Sequence, residues 1–203
     1  MQCFVATGNS GKLKEIVELG KFFFPQITEW IGQAPKNAEE IENTFIGNAQ
    51  IKSRALFHEV KMQSIQEFWV LADDSGIEVD SLGGRPGVLS ARYAGDHVEP
   101  VEHIKKLISE LGTSPNRGAQ YHCALSLIVF ESHKIFEYEA EGVCRGEIIK
   151  DGRGASGFGY DPIFYVPEFK KTMAELDVEI KNSISHRYKA FEDLSAKIAR
   201  IKA

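Results

Sequence analysis

Cys3-Phe4-Val5-Ala6 runs directly into Thr7-Gly8-Asn9-Ser10-Gly11-Lys12, and Leu13, Ile16, Val17 and Leu19 then recur at helical spacing. A short strand that turns through glycines into an amphipathic helix commits the start of the chain to an α/β unit. Such a turn also aims free backbone N–H groups and the positive end of a helix at one point, an arrangement suited to phosphate. Lys12 adds a mobile cation there. The spacing is not that of a P-loop, which has four residues between its glycines and Ser or Thr after the lysine. Here only two residues separate Gly8 from Gly11, and Leu13 follows Lys12. A plain glycine turn beside a solvated lysine fits the segment equally well.

Further elements alternate in type. Asn43 or Thr44 caps a second helix running to about His58. Phe68–Ala72 predicts a buried strand that ends at Asp73-Asp74, and Pro100–Leu111 predicts a helix. Ala119–Phe130 and Ile135–Val143 predict two longer strands joined by a turn at Glu131-Ser132-His133-Lys134. Ile184, Tyr188, Phe191, Leu194, Ile198 and Ile201 place a final helix. No repeat, low-complexity tract or Pro/Gly/Ser linker divides the 203 residues, so one α/β domain spanning 1–203 is expected.

Composition narrows the function classes. With 43% hydrophobic residues and 26% charged, the chain is a globular protein and not a disordered one. A net charge of −5 disfavours a broad nucleic-acid surface, while leaving room for a small polyanion held by a few cations and a metal. Cys3, Cys123 and Cys144 are too widely spaced for a zinc-ligand pattern and too few for a disulfide framework. No apolar run reaches the ~18 residues of a membrane span. No basic-then-apolar segment opens the chain, so a cytoplasmic location is expected.

Several segments carry chemistry. Asp73-Asp74-Ser75-Gly76 follows an apolar strand, and burying either carboxylate requires a partner. Alternation sends the two side chains to opposite faces, so one can face a pocket while the other supports the structure behind it. Glu39, Glu40 and Glu42 precede the second helix, where they suit either the helix dipole or a hard cation. Lys52 lies further along that helix. Ser156-Gly157-Phe158-Gly159-Tyr160-Asp161-Pro162 combines glycines with aromatics, a loop able to present a ring to a flat ligand. Ser185-His186-Arg187 puts two basic residues at a helix start, against the dipole, where Arg187 can grip an oxygen ligand bidentately.

Together the stretches ATGNSGKLKEI, NTFIGNAQIKSRAL, LADDSGIEVDSLGGRPGVLSARYAG, GFGYDPIFYVPE and KNSISHRYKAF closely resemble the inosine triphosphate pyrophosphatase family, whose bacterial members are XTP/dITP diphosphatases. The resemblance implies an inosine-triphosphatase-like fold: a central mixed sheet flanked by helices, in two lobes with an active-site cleft between them. It implies magnesium-dependent (Mg2+) hydrolysis of XTP, ITP and dITP to the monophosphate and pyrophosphate, a house-cleaning role, and a homodimer. By the same resemblance Thr7, Gly8, Asn9, Ser10, Gly11 and Lys12 hold the triphosphate, and Lys52 lies near it. Asp74 is the catalytic aspartate and contacts the metal, Asp73 assists from behind, and Ser75 touches substrate. Phe158, Gly159, Tyr160 and Asp161 form the base-binding loop, and Lys181, His186 and Arg187 read the purine's six-position oxygen. Glu39, counted back from Thr44-Phe45, aligns with the metal-binding glutamate. The family's Glu-Glu-Thr-Gly is replaced here by Glu39-Glu40-Ile41-Glu42-Asn43, which leaves Glu40 as the alternative. Gly47 stands where the family commonly has glutamate.

Overall fold

The structure is a computed structural model that describes residues 1–202. The strands are β1 (Gln2–Val5), β2 (Glu29–Gly32), β3 (Phe68–Val79), β4 (Gly118–Glu131), β5 (Lys134–Ile148), β6 (Phe164–Val166) and β7 (Lys171–Thr172). The α-helices are α1 (Ser10–Phe23), α2 (Phe45–Lys61), α3 (Pro100–Leu111), α4 (Val178–Ile184) and α5 (His186–Lys202). Among the described residues the strands form one sheet in the order β2-β1-β3-β4-β5-β6-β7. β1 runs parallel to both β2 and β3, with Cys3 opposite Trp30 and Trp69, while β6 is antiparallel to β5 and β7. The sheet is therefore mixed.

By its contacts the chain divides into two compact units. The first comprises Met1–Asp74, Cys123–Gly142 and the helix from Arg187 onward; the second comprises Ser75–His122 and Val143–His186.

In the first unit, strand alternation decides what each helix covers. Cys3, Val5, Trp69, Leu71, Cys123, Leu125 and Leu127 pack with Ile16 and Leu19 of α1 and with Phe191, Leu194 and Ile198 of α5. Residues of opposite parity, Phe4, Ala6, Phe68, Val70, Ala72 and Ile128, pack with Ala49, Leu56, Phe57 and Val60 of α2. Each fully buried side chain of this size is worth roughly 1.5–3 kcal/mol of transfer free energy. Gly20 sits inside α1, where glycine costs ~1 kcal/mol relative to alanine. A Cβ there would collide with the Trp30 ring, so the missing side chain is what lets β2 seat its tryptophan.

The second unit has its own core of Ile77, Val79, Leu107, Leu111, Tyr121, Ile163, Phe164 and Met173.

Several boundaries differ from the sequence expectation, among them the end of β5, which runs past Val143 to Ile148 because Cys144 and Ile148 are buried in the second core. β3 does not stop at the aspartates but continues to Val79, because Ile77 and Val79 are both needed in the second core. The expected final helix is interrupted at Ser185, which is extended (φ −64°, ψ 155°), leaving Ile184 in α4 and starting α5 at His186. The β4–β5 turn falls where expected, with Ser132 and His133 both at positive φ. No described helix is long and apolar enough to cross a membrane.

Candidate active site

The parity that sorts the first core also sorts the aspartates. Asp73 shares the face covered by α1 and α5, and Asp74 shares the face covered by α2. Each meets its own lysine. Lys12 Nζ, from the first turn of α1, lies 2.7 Å from Asp73 Oδ1. Lys52 Nζ, from α2, lies 2.7 Å from Asp74 Oδ1.

Asp73 is fully buried and surrounded by donors. Arg187 Nε donates to its Oδ2 at 3.1 Å, and the Cys123 thiol donates to the same oxygen at 3.1 Å. Burial works against the charge of Asp73, but Arg187 and Lys12 outweigh it and hold the carboxyl well below the usual carboxylate range. Burial and the neighbouring Asp73 charge push the Cys123 thiol far up, so it is an inert donor and no nucleophile. Arg187 completes the chain by donating from Nη1 to Glu15 Oε2 at 2.8 Å.

Asp74 is in the opposite electrostatic state. Burial raises its pKa above the ordinary carboxylate value, Glu40 adds to the rise, and Lys52 and Lys12 only partly offset it. For Lys52, burial opposes the charge, but Asp74 and Glu40 outweigh burial and raise its pKa. Glu40 Oε1 lies 3.0 Å from the Lys52 ammonium, so two carboxylates converge on one cation. Asn48, buried one turn into α2, ties the acidic segment to this centre. Its Oδ1 accepts from the Glu42 N–H at 3.0 Å, and its Nδ2 donates to Glu42 O at 3.1 Å and to Asp74 Oδ2 at 3.4 Å.

Glu39, the residue picked from sequence, is exposed; Glu40 is the glutamate the structure brings to Lys52. Among the described residues no three His, Cys, Asp or Glu side chains gather into a metal cage. Asp74 and Glu40 nevertheless suit a hard cation, which takes oxygen ligands and commonly only one or two carboxylates. A partly desolvated carboxylate beside a second one is a donor set short of positive charge.

The expected phosphate loop opens α1 as anticipated. Asn9 is the N-cap, its Oδ1 accepting the Lys12 N–H at 3.0 Å, and Thr7 Oγ1 accepts the Asn9 N–H at 3.1 Å. These bonds fix the turn, while Gly8, Asn9 and Ser10 stay exposed at the positive helix end.

The second unit gathers a different cluster around Asp161, which is 5% exposed. Its Oδ1 accepts from the Tyr121 hydroxyl at 3.0 Å. Its Oδ2 accepts from the Phe158 N–H at 3.0 Å and from Lys181 Nζ at 2.8 Å. The Lys181 ammonium stands 5.3 Å from the centre of the half-buried Phe158 ring. The His186 imidazole is stacked on Tyr121 at 4.9 Å and 17°. Gly157 makes this loop possible: its φ is +79°, and a Cβ there would run into Asp161 Oδ2.

Several of the expected residues have partners within the protein. Tyr160 is buried and its hydroxyl donates to Ser90 O at 2.9 Å, so Phe158 is the loop ring left part-exposed. Gly159 lies in the same loop at φ +60°, and Ser75 is half-buried on β3 beyond Asp74. Arg187 is engaged by Asp73 and Glu15 in the first unit, whereas His186 and Lys181 belong to the Asp161 cluster. Tyr121, Asn48 and Glu15 had no local signal: each matters through a partner distant in sequence, Asp161, Asp74 and Arg187 respectively.

Fold and clusters define an α/β protein with a buried lysine–carboxylate centre under a helix N-terminus. The Ham1 family model matches residues 3–197, and the chain belongs to this family. It is 45% identical over 199 residues to the dITP/XTP pyrophosphatase of Desulforamulus reducens, covering 95% of this chain and 92% of that protein. Identity to the dITP/XTP pyrophosphatase of Halalkalibacterium halodurans is 43% over 193 residues, covering 94% and 95% respectively. The solved Ham1 protein of Staphylococcus aureus superposes with a TM-score of 0.80 at 38% identity, over 99% of this chain and 100% of that one.

Proposed function

We propose that this chain is a nucleoside triphosphate pyrophosphohydrolase that cleaves ITP, dITP and XTP to the monophosphate and pyrophosphate, removing non-standard purines from the nucleotide pool. The observation that carries the reading is Asp74. It is a buried carboxylate of raised pKa on a buried lysine, with a second carboxylate at the same ammonium and a helix N-terminus bearing Lys12 on the neighbouring aspartate.

In this reading Thr7 to Lys12 bind the phosphates through backbone N–H groups, the helix end and the Lys12 ammonium. Asp74 orients a water for in-line attack on the α-phosphorus and accepts its proton. The new P–O bond forms as the α–β anhydride breaks, and the bridging oxygen leaves with pyrophosphate. Lys12 and Lys52 stabilise the charge that accumulates on that leaving group. Magnesium held by Asp74 and Glu40 would supply Lewis-acid charge at the phosphate oxygens. Phe158 offers a face to the base, and Lys181 and His186 donate toward the six-position oxygen of inosine and xanthosine. An adenine amino group would leave those donors unpaired, at about 1–3 kcal/mol each. The working form is a homodimer in the cytoplasm.

The test is pyrophosphate release from ITP, XTP, dITP, GTP, ATP and UTP, with magnesium and with EDTA. Magnesium-dependent turnover of ITP and XTP well above GTP and ATP is expected. Binding of these nucleotides with no turnover of any would replace the enzyme reading with a nucleotide sensor.

A further inference from the structure

Asn48 is 0% exposed, one turn into α2 between the buried Phe45 and Ala49. A buried amide is costly unless both of its ends are bonded, and an apolar side chain of similar size would make no such demand. Its partners account for it. Oδ1 accepts from the Glu42 N–H at 3.0 Å while Nδ2 donates to Glu42 O at 3.1 Å, so the side chain pairs with residue 42 as a neighbouring strand would. A primary amide carries donor and acceptor side by side on one short planar group, and these partners fix which end is which. Nδ2 also reaches Asp74 Oδ2 at 3.4 Å, the longest of the three contacts.

The clasp acts on a segment that apolar packing does not hold. Ile41, Glu42, Asn43 and Thr44 are all exposed, Ile41 by 74%. Gly47 leaves the space the Glu42 stem passes through, since a Cβ there would lie 2.8 Å from it. Two residues before the clasp, Glu40 reaches the Lys52 ammonium at 3.0 Å. Lys52 stands one helical turn beyond Asn48, and the two residues take one oxygen of Asp74 each, Lys52 on Oδ1 at 2.7 Å and Asn48 on Oδ2.

We infer that Asn48 is a positioning residue for the cation end of the site: by clasping the backbone of residue 42 it holds Glu40 in register with Asp74, whose second oxygen it also orients. This rests on the proposal above that Asp74 and Glu40 hold magnesium. Magnesium tolerates little departure from its preferred geometry, so two carboxylates on separate segments serve it only if something fixes their spacing. Partners that orient metal ligands are typically worth 10–100-fold in metal affinity. Without the amide, Glu40 is left on a loosely held segment and the cation is bound less well. The loss falls on every triphosphate alike, because Asn48 reads no base.

The experiment has two arms, applied to wild type, Asn48→Leu, Glu40→Gln and the double variant, with thermal midpoints for each. The first is amide hydrogen exchange over residues 39–43 of the metal-free protein, which Asn48→Leu should speed by about tenfold or more. The second is a magnesium titration of XTP and GTP turnover. Asn48→Leu should raise the magnesium concentration for half-maximal turnover by about tenfold, excess magnesium should restore kcat to within about threefold, and the XTP:GTP ratio should move less than about twofold. In the Glu40→Gln background the same substitution should raise the magnesium requirement by less than about threefold, because its effect passes through Glu40. Unchanged exchange with an unchanged magnesium requirement would overturn the inference. So would effects that multiply fully in the double variant, or a loss of kcat that excess magnesium does not restore, which would make Asn48 a scaffold residue. Should Asn48→Leu not fold, Asn48→Ser carries the same cycle, since one hydroxyl cannot bond both backbone groups of residue 42; the expected rise is about threefold to fivefold. Wild-type turnover that ignores EDTA would overturn the cation reading and this inference with it. Absence of wild-type turnover on every triphosphate would instead overturn the pyrophosphohydrolase reading, with the exchange arm still deciding whether Asn48 clasps residue 42.

Discussion

Asp73 and Asp74 are consecutive residues of one strand whose carboxyl groups are driven in opposite directions, Asp73 well below the ordinary carboxylate range and Asp74 above it. The cause is the two-residue period of the strand. Asp73 falls among Arg187, Lys12 and Cys123, whereas Asp74 falls beside Lys52 and the second carboxylate Glu40. The two Asn variants should therefore fail differently. Asp73→Asn removes the shared partner of buried Arg187 and half-buried Lys12 and should lower stability by about 3–5 kcal/mol. Asp74→Asn should keep a near wild-type thermal midpoint and lose turnover by about 100-fold or more. Denaturation midpoints and pyrophosphate release check both, and an Asp74→Asn enzyme with wild-type turnover would remove Asp74 from the chemistry.

Metal dependence separates the two candidate glutamates. Glu40 shares the Lys52 ammonium with Asp74, while Glu39 is exposed. Glu40→Gln should raise the magnesium concentration for half-maximal turnover by about tenfold or more, with Glu39→Gln close to wild type. Titrating magnesium back into EDTA-treated enzyme measures this directly. The reverse order would reinstate Glu39.

On the base side the testable residue is Tyr121. Its hydroxyl holds Asp161, which holds both Lys181 and the Phe158 N–H, and its ring carries His186. Tyr121→Phe deletes one hydrogen bond to a carboxylate and should raise KM for ITP and XTP by about tenfold with kcat nearly unchanged. A fall in kcat at constant KM would place Tyr121 with the phosphate chemistry instead.

Gly47 presents a sign reversal. Helix propensity alone says Gly47→Ala should stabilise by up to ~1 kcal/mol. In the structure a Cβ at this position would lie 2.8 Å from the Glu42 stem and 2.9 Å from Oγ1 of Thr44, the N-cap whose hydroxyl accepts the Gly47 N–H. Gly47→Ala should therefore destabilise by about 1 kcal/mol through the strained cap. In a Glu42→Ala background, with the stem shortened, the penalty should shrink. Urea midpoints of the three variants decide it. A stabilising Gly47→Ala in the wild-type background would show that the cap accommodates the methyl.

What was legible in the sequence is what local periodicity encodes. The opposite faces of Asp73 and Asp74, a helix cap at Asn43 or Thr44 (it falls on Thr44) and the Pro100–Leu111 helix follow from neighbours a few residues away. The continuation of β3 past Asp74 was not legible, because Ile77 and Val79 are claimed by a core assembled from residues up to Leu176. β2 escaped for a similar reason: Glu29-Trp30-Ile31-Gly32 shows no alternation, and it is fixed by pairing with β1 and by the space Gly20 leaves for Trp30. Within the site, residue types were readable but partners were not. Glu39 and Glu40 are indistinguishable until the chain folds one of them onto Lys52, and nothing local to Arg187 points to its partner Glu15, 172 positions away.

The interruption of the last helix at Ser185 leaves His186 and Arg187 adjacent in the chain but answering to different neighbours, Tyr121 for one and Asp73 with Glu15 for the other. A substitution at His186 is felt first at Tyr121, and one at Arg187 is felt first at Asp73 and Glu15. At that single peptide bond the chain passes from one set of partners to another, so substitutions at the two neighbours should act on stability close to additively and not as a coupled pair.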